Sequence, residues 1–324
     1  MTSPFWSRSR HTDRAPFLRA RAAIVRAVRD WFHGQGFVEV EPQALAFSPG
    51  AEVHVDGFEA RQKNGEFRYL HTSPEFAMKK LLAGGEEKIF FLGKCWRRGE
   101  TGPLHAEEFT MLEWYRATEP YERVMEDCVE IAHIAARAAN AEALRWRERR
   151  CDPFAEAEKL TVLEAFARFD SFSLAEKVAA ERPDEGRTDR SEHDLFSAAI
   201  TRLEPNLGHP ALTLLYEYPI SEAALARRCA HDASVAERFE FYACGVELAN
   251  GFGELTDPVE QRARLVEAMA EKQRRYGKTW PIDEDFLTAL AHMPPSSGVA
   301  LGLDRLVMLA SGARHINDVL WTPP

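Results

Sequence analysis

The chain lacks any apolar run approaching the ~18 residues that a membrane helix needs. It is also poor in cysteine, with five in 324 residues. Cys95, Cys128, Cys151, Cys229 and Cys244 are scattered, odd in number and without a C-x-x-C pair. That pattern predicts a reduced cytoplasmic interior rather than a disulfide framework or a zinc site. Positive charge is short as well: 41 Lys and Arg stand against 51 Asp and Glu, a net charge of −10. Proteins that coat nucleic acid need many phosphate-neutralising cations, so that task is excluded, though a local basic patch is not. The N-terminal stretch carries Arg8, Arg10, Arg14, Arg19 and Arg21 around no apolar segment, and does not read as a secretory signal. There is no G-x-x-x-x-G-K-[ST] loop, no strand-linked G-x-G-x-x-G and no G-x-S-x-G elbow, which removes the main support for P-loop, Rossmann and α/β-hydrolase folds.

What is present is a chain with 45% apolar residues, enough to bury a core. Residues 17–33 have helical apolar spacing, and Phe37–Glu41 alternates as a strand up to Pro42. Ser73-Pro74-Glu75 opens a helix over 72–83. Residues 89–96 and 109–115 read as the two strands of a long hairpin around the polar loop 98–107. A helix follows over 121–139. Residues 140–210 read as short helices with charged connections such as Glu181–Gly186, and yield no chemistry. Strands are predicted at 211–218, 238–242 and 246–249, a charged amphipathic helix over 258–276, and an apolar segment over 299–310. Strands and helices do not alternate regularly, so an α+β fold with a largely antiparallel sheet flanked by helices is expected.

Glutamates and arginines stand out within the apolar strands. Glu240, Glu247 and Glu254 recur every seven residues. A two-residue turn at Ala243-Cys244 would set Glu240 directly opposite Glu247, two carboxylates that repel unless a cation lies between them. Mg²⁺ is the natural cation, being hard and often held by carboxylates together with substrate phosphates. Glu254 lies an odd number of positions from Glu247, and a bulge near Asn250, Gly251 and Gly253 would return it to the same cleft. The same spacing also suits three solvent-facing glutamates on an edge. Arg97 and Arg305 fall where burial is expected, and need either phosphates or an acid such as Asp304. Phe109 is suited to stacking on a base or to a place in the core, and His105 to phosphate contact or to a solvated loop.

Taken together, TSPE (72–75), Arg97…His105…Phe109, EFTMLEWY (108–115), ELANGFGEL (247–255) and GVALGLDRL (298–306) resemble the motifs of class II aminoacyl-tRNA synthetases, in particular the lysyl branch. These segments cover most of the chain outside roughly 140–210. Within that branch the chain is most similar to the short paralogue family that lysylates elongation factor P.

The resemblance implies a homodimer with Pro42 at its interface, and a ligase using ATP and Mg²⁺. It implies that Arg97 and Arg305 are catalytic. Arg97, Arg98, Gly99, Glu100, His105, Phe109, Glu247, Leu248, Gly302 and Arg305 would bind ATP, with adenine between Phe109 and Arg305. Glu240 and Glu247 would hold Mg²⁺. Ser73, Pro74, Glu75, Glu113, Tyr115, Asn250, Glu254 and Ala300 would line the amino-acid site, where acids select a cationic substrate. Two departures touch the nucleotide side: Arg97-Arg98-Gly99-Glu100 replaces R-N-E, and Ala106 replaces an Asn. Ala300 stands where lysyl-tRNA synthetases typically carry Gly, whereas the paralogue family carries Ala and favours (R)-β-lysine.

The first helix starts near residue 17, which leaves no room for an anticodon-binding OB-fold. The expectation is therefore a single catalytic domain over 1–324, elongation factor P as protein substrate, little tRNA binding and no membrane contact. The alternatives are a truncated lysyl-tRNA synthetase, another amino-acid ligase, or a pseudo-enzyme that binds nucleotide or amino acid.

Overall fold

The computed structural model describes residues 4–169, 192–223 and 225–324; the charged connection at 181–186 lies outside them. The first helix, α1 (Arg8–Gly34), begins nine residues before the sequence pattern suggests. Pro16 lies inside it and deletes only one helical hydrogen bond. The turns before it are held by the buried Arg14, whose guanidinium donates to the Leu320 carbonyl. Leu18, Ile24, Val28 and Phe32 form the buried face.

An eight-stranded sheet runs in the order β1-β5-β6-β13-β12-β11-β10-β9. Its strands are β1 (Val38–Glu39), β5 (Lys88–Trp96), β6 (Glu108–Ala117), β9 (Glu158–Thr161), β10 (Thr213–Pro219), β11 (Val235–Ala243), β12 (Val246–Gly253) and β13 (Ser296–Gly302). The centre is antiparallel, and only the edge pairs β1–β5 and β9–β10 are parallel. A small sheet of β2 (Leu45–Ala46), β3 (Glu59–Arg61) and β4 (Phe67–Leu70) lies apart, as does the hairpin of β7 (Leu144–Trp146) with β8 (Arg149–Cys151). The region 140–210, expected to be helical, thus also holds three strands beside α4 (Val162–Arg168) and α5 (Glu192–Leu203).

One face of the sheet is covered by α1, α3 (Tyr121–Ala138) and α8 (Leu303–Ser311), which enclose the main core around Phe32, Phe90, Trp114, Ile131, Phe241 and Met308. The other face carries the site, with α2 (Glu75–Ala83) and α7 (Glu284–Leu290) closing its end around Met78, Tyr115 and Phe286. The helix α6 (Pro258–Tyr276) matches its sequence signals end to end. Asp257 accepts the Val259 and Glu260 amides at 2.8 and 3.2 Å, Pro258 takes the first position, and Gly277 at φ 67° stops it. The apolar segment 299–310 divides into the end of β13 and α8, with the break at Gly302. A buried network ties the three expected motifs together. Asp304 accepts from Arg21 of α1 and from the Thr110 amide of β6, and Arg21 donates to the Thr110 hydroxyl at 2.7 Å. Among the described residues, no helix is long and apolar enough to cross a membrane.

Candidate active site

Strand register builds the site in rows. Phe91, Glu113, Ala300, Asn250, Glu240 and Leu215 face one another across six successive strands. The neighbouring row is Ile89, Tyr115, Gly298, Phe252 and Arg238. Because direct cross-strand partners share a face, both rows line one cleft. Gly298 is required there: a Cβ would lie 2.3 Å from the Tyr115 ring and 2.6 Å from Glu254 Oε1.

The β11–β12 hairpin corrects one expectation. Its two turn residues are Cys244 and Gly245, at φ 56° and 74°, not Ala243-Cys244. Such a turn needs left-handed backbone at both positions, and Gly245 supplies one without strain. Glu247 therefore faces Tyr242, and with one further residue of shift Glu240 faces Asn250 rather than Glu247. The expected bulge exists, but at Leu248, between the pairs Phe241–Ala249 and Tyr242–Glu247. That extra residue restores parity, and Glu247, Asn250 and Glu254 point into the same cleft. Leu248 itself is buried in the core on the opposite face, so it offers the cleft its backbone alone.

At one end of the cleft lie the acids. Glu113 is 1% exposed; Ser73 Oγ and Tyr115 OH each donate to it at 2.7 Å. Burial and then Glu75 push its carboxyl up to about 8, against those two hydrogen bonds. Ser73 Oγ also takes the Glu75 amide at 3.1 Å just after Pro74, which starts α2. Glu254, 1% exposed, and Glu75 are bridged by Lys79, whose Nζ lies 2.6 Å from Glu254 Oε2 and 2.5 Å from Glu75 Oε1. Burial drives the Lys79 pKa down, but the two carboxylates more than reverse it, and the net shift is upward. Burial raises Glu254 while Lys79 pulls it back. Lys79 escaped the sequence reading, although its position four residues after Glu75 on one helix face was an available signal.

At the other end lie the arginines. Arg305 donates to the Glu247 carbonyl at 2.9 Å and meets His105 Nε2 at 2.6 Å. Burial and then the Arg305 and Arg97 charges hold the His105 pKa down at about 4, so its ring is neutral near pH 7 and accepts from Arg305. Asp304 is not the partner of Arg305, because Arg21 and Thr110 occupy it. The guanidinium over the Phe109 ring is that of Arg97, 5.4 Å from the centroid, while Arg97 Nη2 is 3.9 Å from Glu52 and Nη1 is 4.0 Å from Glu100. In the hairpin loop, Arg98 donates its amide to the Asp56 carbonyl and Gly99 donates its own to Glu107, at 2.8 and 2.7 Å. Gly302 ends β13 beside the Arg305 stem.

Between the two ends, Glu240 accepts from Arg238 at 2.8 Å and from the Tyr242 hydroxyl. The Glu247 carboxyl has no hydrogen bond among the described residues, and its nearest cation is Arg305 at 3.9 Å. Burial and then Glu240 raise its pKa. Glu204, from the short turn Glu204–Asn206, adds a third acid, raised to about 7 by burial and then by Glu240, with Arg305 opposing. Its chain segment rests on the Gly245 turn, which no sequence pattern disclosed.

Several buried polar atoms around the cleft have no partner among the described residues: Arg97 Nε, Arg238 Nε, Asn250 Oδ1 and Glu254 Oε1. Buried polar groups are nearly always satisfied, so this set marks a surface built for a polar ligand. A hard cation suits Glu247, whose lone pairs are free and whose charge is crowded by Glu240 and Glu204.

The family model described as tRNA synthetases class II (D, K and N) matches residues 5–324. The chain is 39% identical to an elongation factor P–(R)-β-lysine ligase of Salmonella arizonae, and 38% identical to the protein of the same name from Salmonella gallinarum. Each alignment covers 94% of both chains.

Proposed function

Because the chain belongs to the class II tRNA synthetases of the D, K and N type, we propose that it is an ATP-dependent ligase that activates (R)-β-lysine, or lysine, and transfers it to a lysine side chain of elongation factor P. One observation carries the reading: one cleft holds acids (buried Glu113 and Glu254, with the half-buried Glu75) at one end and arginines (Arg97, Arg305) beside Glu247 at the other. The acidic end suits the ammonium groups of a diamino acid, and the cationic end suits the phosphates of ATP. The names of the relatives supply the isomer and the acceptor.

The reaction joins two nucleophilic steps. The amino-acid carboxylate attacks the α-phosphorus of ATP, the bond to the β-phosphate oxygen breaks, and pyrophosphate leaves. A deprotonated protein amine then attacks the adenylate carbonyl, AMP leaves, and an amide forms. Arg97 neutralises charge at the α-phosphate, and Arg305 is held ready by the neutral His105 and the Glu247 carbonyl. Asn250 and Ala300, neighbours in register, border the substrate backbone. Glu247, with Glu240 close by, would hold Mg²⁺, which when bound would supply further charge neutralisation at the phosphates.

A homodimer fits the exposed apolar side chains Val38, Leu45 and Phe47 around Pro42. A cytoplasmic setting fits five free, buried thiols. Lysine-dependent exchange of pyrophosphate into ATP tests the first half-reaction. Exchange that appears only with lysine or β-lysine supports the reading, and nucleotide binding without exchange would make the chain a pseudo-enzyme.

A further inference from the structure

On the opposite side of β10–β11 from the acids of the cleft, beside the start of α3, a second constellation has no part in this reaction. Carboxylate, thiol and imidazole donor atoms of Glu217, Cys229 and His231 all lie within 4.8 Å of one another, with His231 Nε2 3.2 Å from Glu217 Oε1. The sequence spacing pointed away from a zinc site, and only the fold brings these residues together. We propose that Glu217, Cys229 and His231 bind one transition-metal ion of the zinc class.

Two independent features support the assignment. The donor set is mixed N, O and S, which suits Zn²⁺ with water in a fourth position and not the oxygen-seeking Mg²⁺ of the cleft. Glu217 has φ 58°, and it is the one non-glycine with positive φ inside a strand among the described residues; Thr118, Asn140, Arg147 and Cys244 lie in connections. Left-handed backbone is strained for such a residue, and here it coincides with the register shift between Tyr216 and Tyr218. The strain is thus spent turning one carboxylate out of the ladder toward Cys229 and His231.

The ligand loop is shaped without help from metal. The Cys229 amide donates to Val235 at 2.9 Å, and Asp232 caps its own turn through Ser234 at 2.7 and 2.8 Å. On binding, the S–H bond breaks, its proton passes to solvent, and a metal–thiolate bond forms with no change of oxidation state. The ion would fasten residues 225–229 to the sheet. That strap already pairs with the pocket edge, Arg227 donating to the Gly253 carbonyl at 2.8 Å and Leu225 accepting from Leu255 at 2.9 Å, with Ala226 opposite Glu254.

The test uses the full chain, stripped with chelator and titrated with Zn²⁺ against a chromophoric competitor in Mg²⁺ buffer, then with Co²⁺ as a spectroscopic probe. The expected result is one zinc ion per chain and a thiolate-to-cobalt charge-transfer band. Cys229→Ser should abolish the band, and both Cys229→Ser and His231→Ala should weaken zinc binding by at least about tenfold. His231 is exposed, so its variant leaves the fold intact and decides the matter if the cysteine variant fails to fold. No zinc uptake, or uptake undiminished in His231→Ala but lost in Glu247→Gln, would overturn the assignment.

Discussion

Lys79 and Glu254 form an ion pair with 0% and 1% of their side chains exposed, Nζ to Oε2 2.6 Å, at the acidic end of the cleft, where we propose a substrate ammonium binds. The pocket therefore carries its own cation, shared with Glu75, before any substrate arrives. Replacing one partner of such a pair leaves a buried charge without compensation. Lys79→Met is expected to cost about 3–5 kcal/mol in urea unfolding. Adding Glu254→Gln should return a large part of that loss. If the two losses simply add, the ammonium is not balancing Glu254.

Glu247→Gln preserves shape while removing a charge that has no hydrogen bond among the described residues. Pyrophosphate exchange should vanish while the thermal midpoint holds or rises, since like-charge crowding with Glu240 is relieved. Exchange close to the wild-type rate would remove Glu247 from the phosphate end.

Glu254→Gln should act on the amino acid and spare ATP. A charged hydrogen bond is worth roughly 1.5–3 kcal/mol, so the KM for lysine or β-lysine should rise about ten- to a hundredfold. A raised KM for ATP with an unchanged amino-acid KM would mean that the two ends of the cleft are exchanged.

Much of this was legible in the chain, and the misses share a cause. The charged, amphipathic stretch 258–276 placed α6 to the residue, and two apolar runs around the polar loop 98–107 gave the hairpin of β5 and β6. The pairing of Glu240 with Glu247 failed because one residue of turn position, Cys244-Gly245 in place of Ala243-Cys244, shifts the whole register. The parity argument for a bulge held, while its place depended on packing of Leu248 that no local pattern encodes. Lys79, Glu204 and the Glu217–Cys229–His231 group depend on contacts between distant segments. Arg305 was expected to meet phosphates or an acid such as Asp304; its partners within the fold are the Glu247 carbonyl and His105, and only the fold shows Arg21 claiming Asp304.

Proton linkage gives a separate check on the acidic end. Glu113 titrates at about 8 in the folded chain against an ordinary value of 4.5. Between those values the folded chain keeps a proton that the unfolded chain has released. The contribution to stability is therefore full below about pH 4.5 and lost as pH rises through 8. Unliganded wild type should lose stability from about pH 5 to 8.5 more steeply than Glu113→Gln, by an amount on the order of a few kcal/mol. Parallel stability curves would show that Glu113 titrates normally.

The central claim concerns where the activated amino acid goes. Incubated with ATP, Mg²⁺, (R)-β-lysine and elongation factor P from its own organism, the chain should add one lysyl-sized mass to the factor, read by intact-mass spectrometry. A parallel reaction with total tRNA should give no appreciable acid-precipitable product. An unmodified factor beside charged tRNA would contradict the account and make the chain a tRNA synthetase.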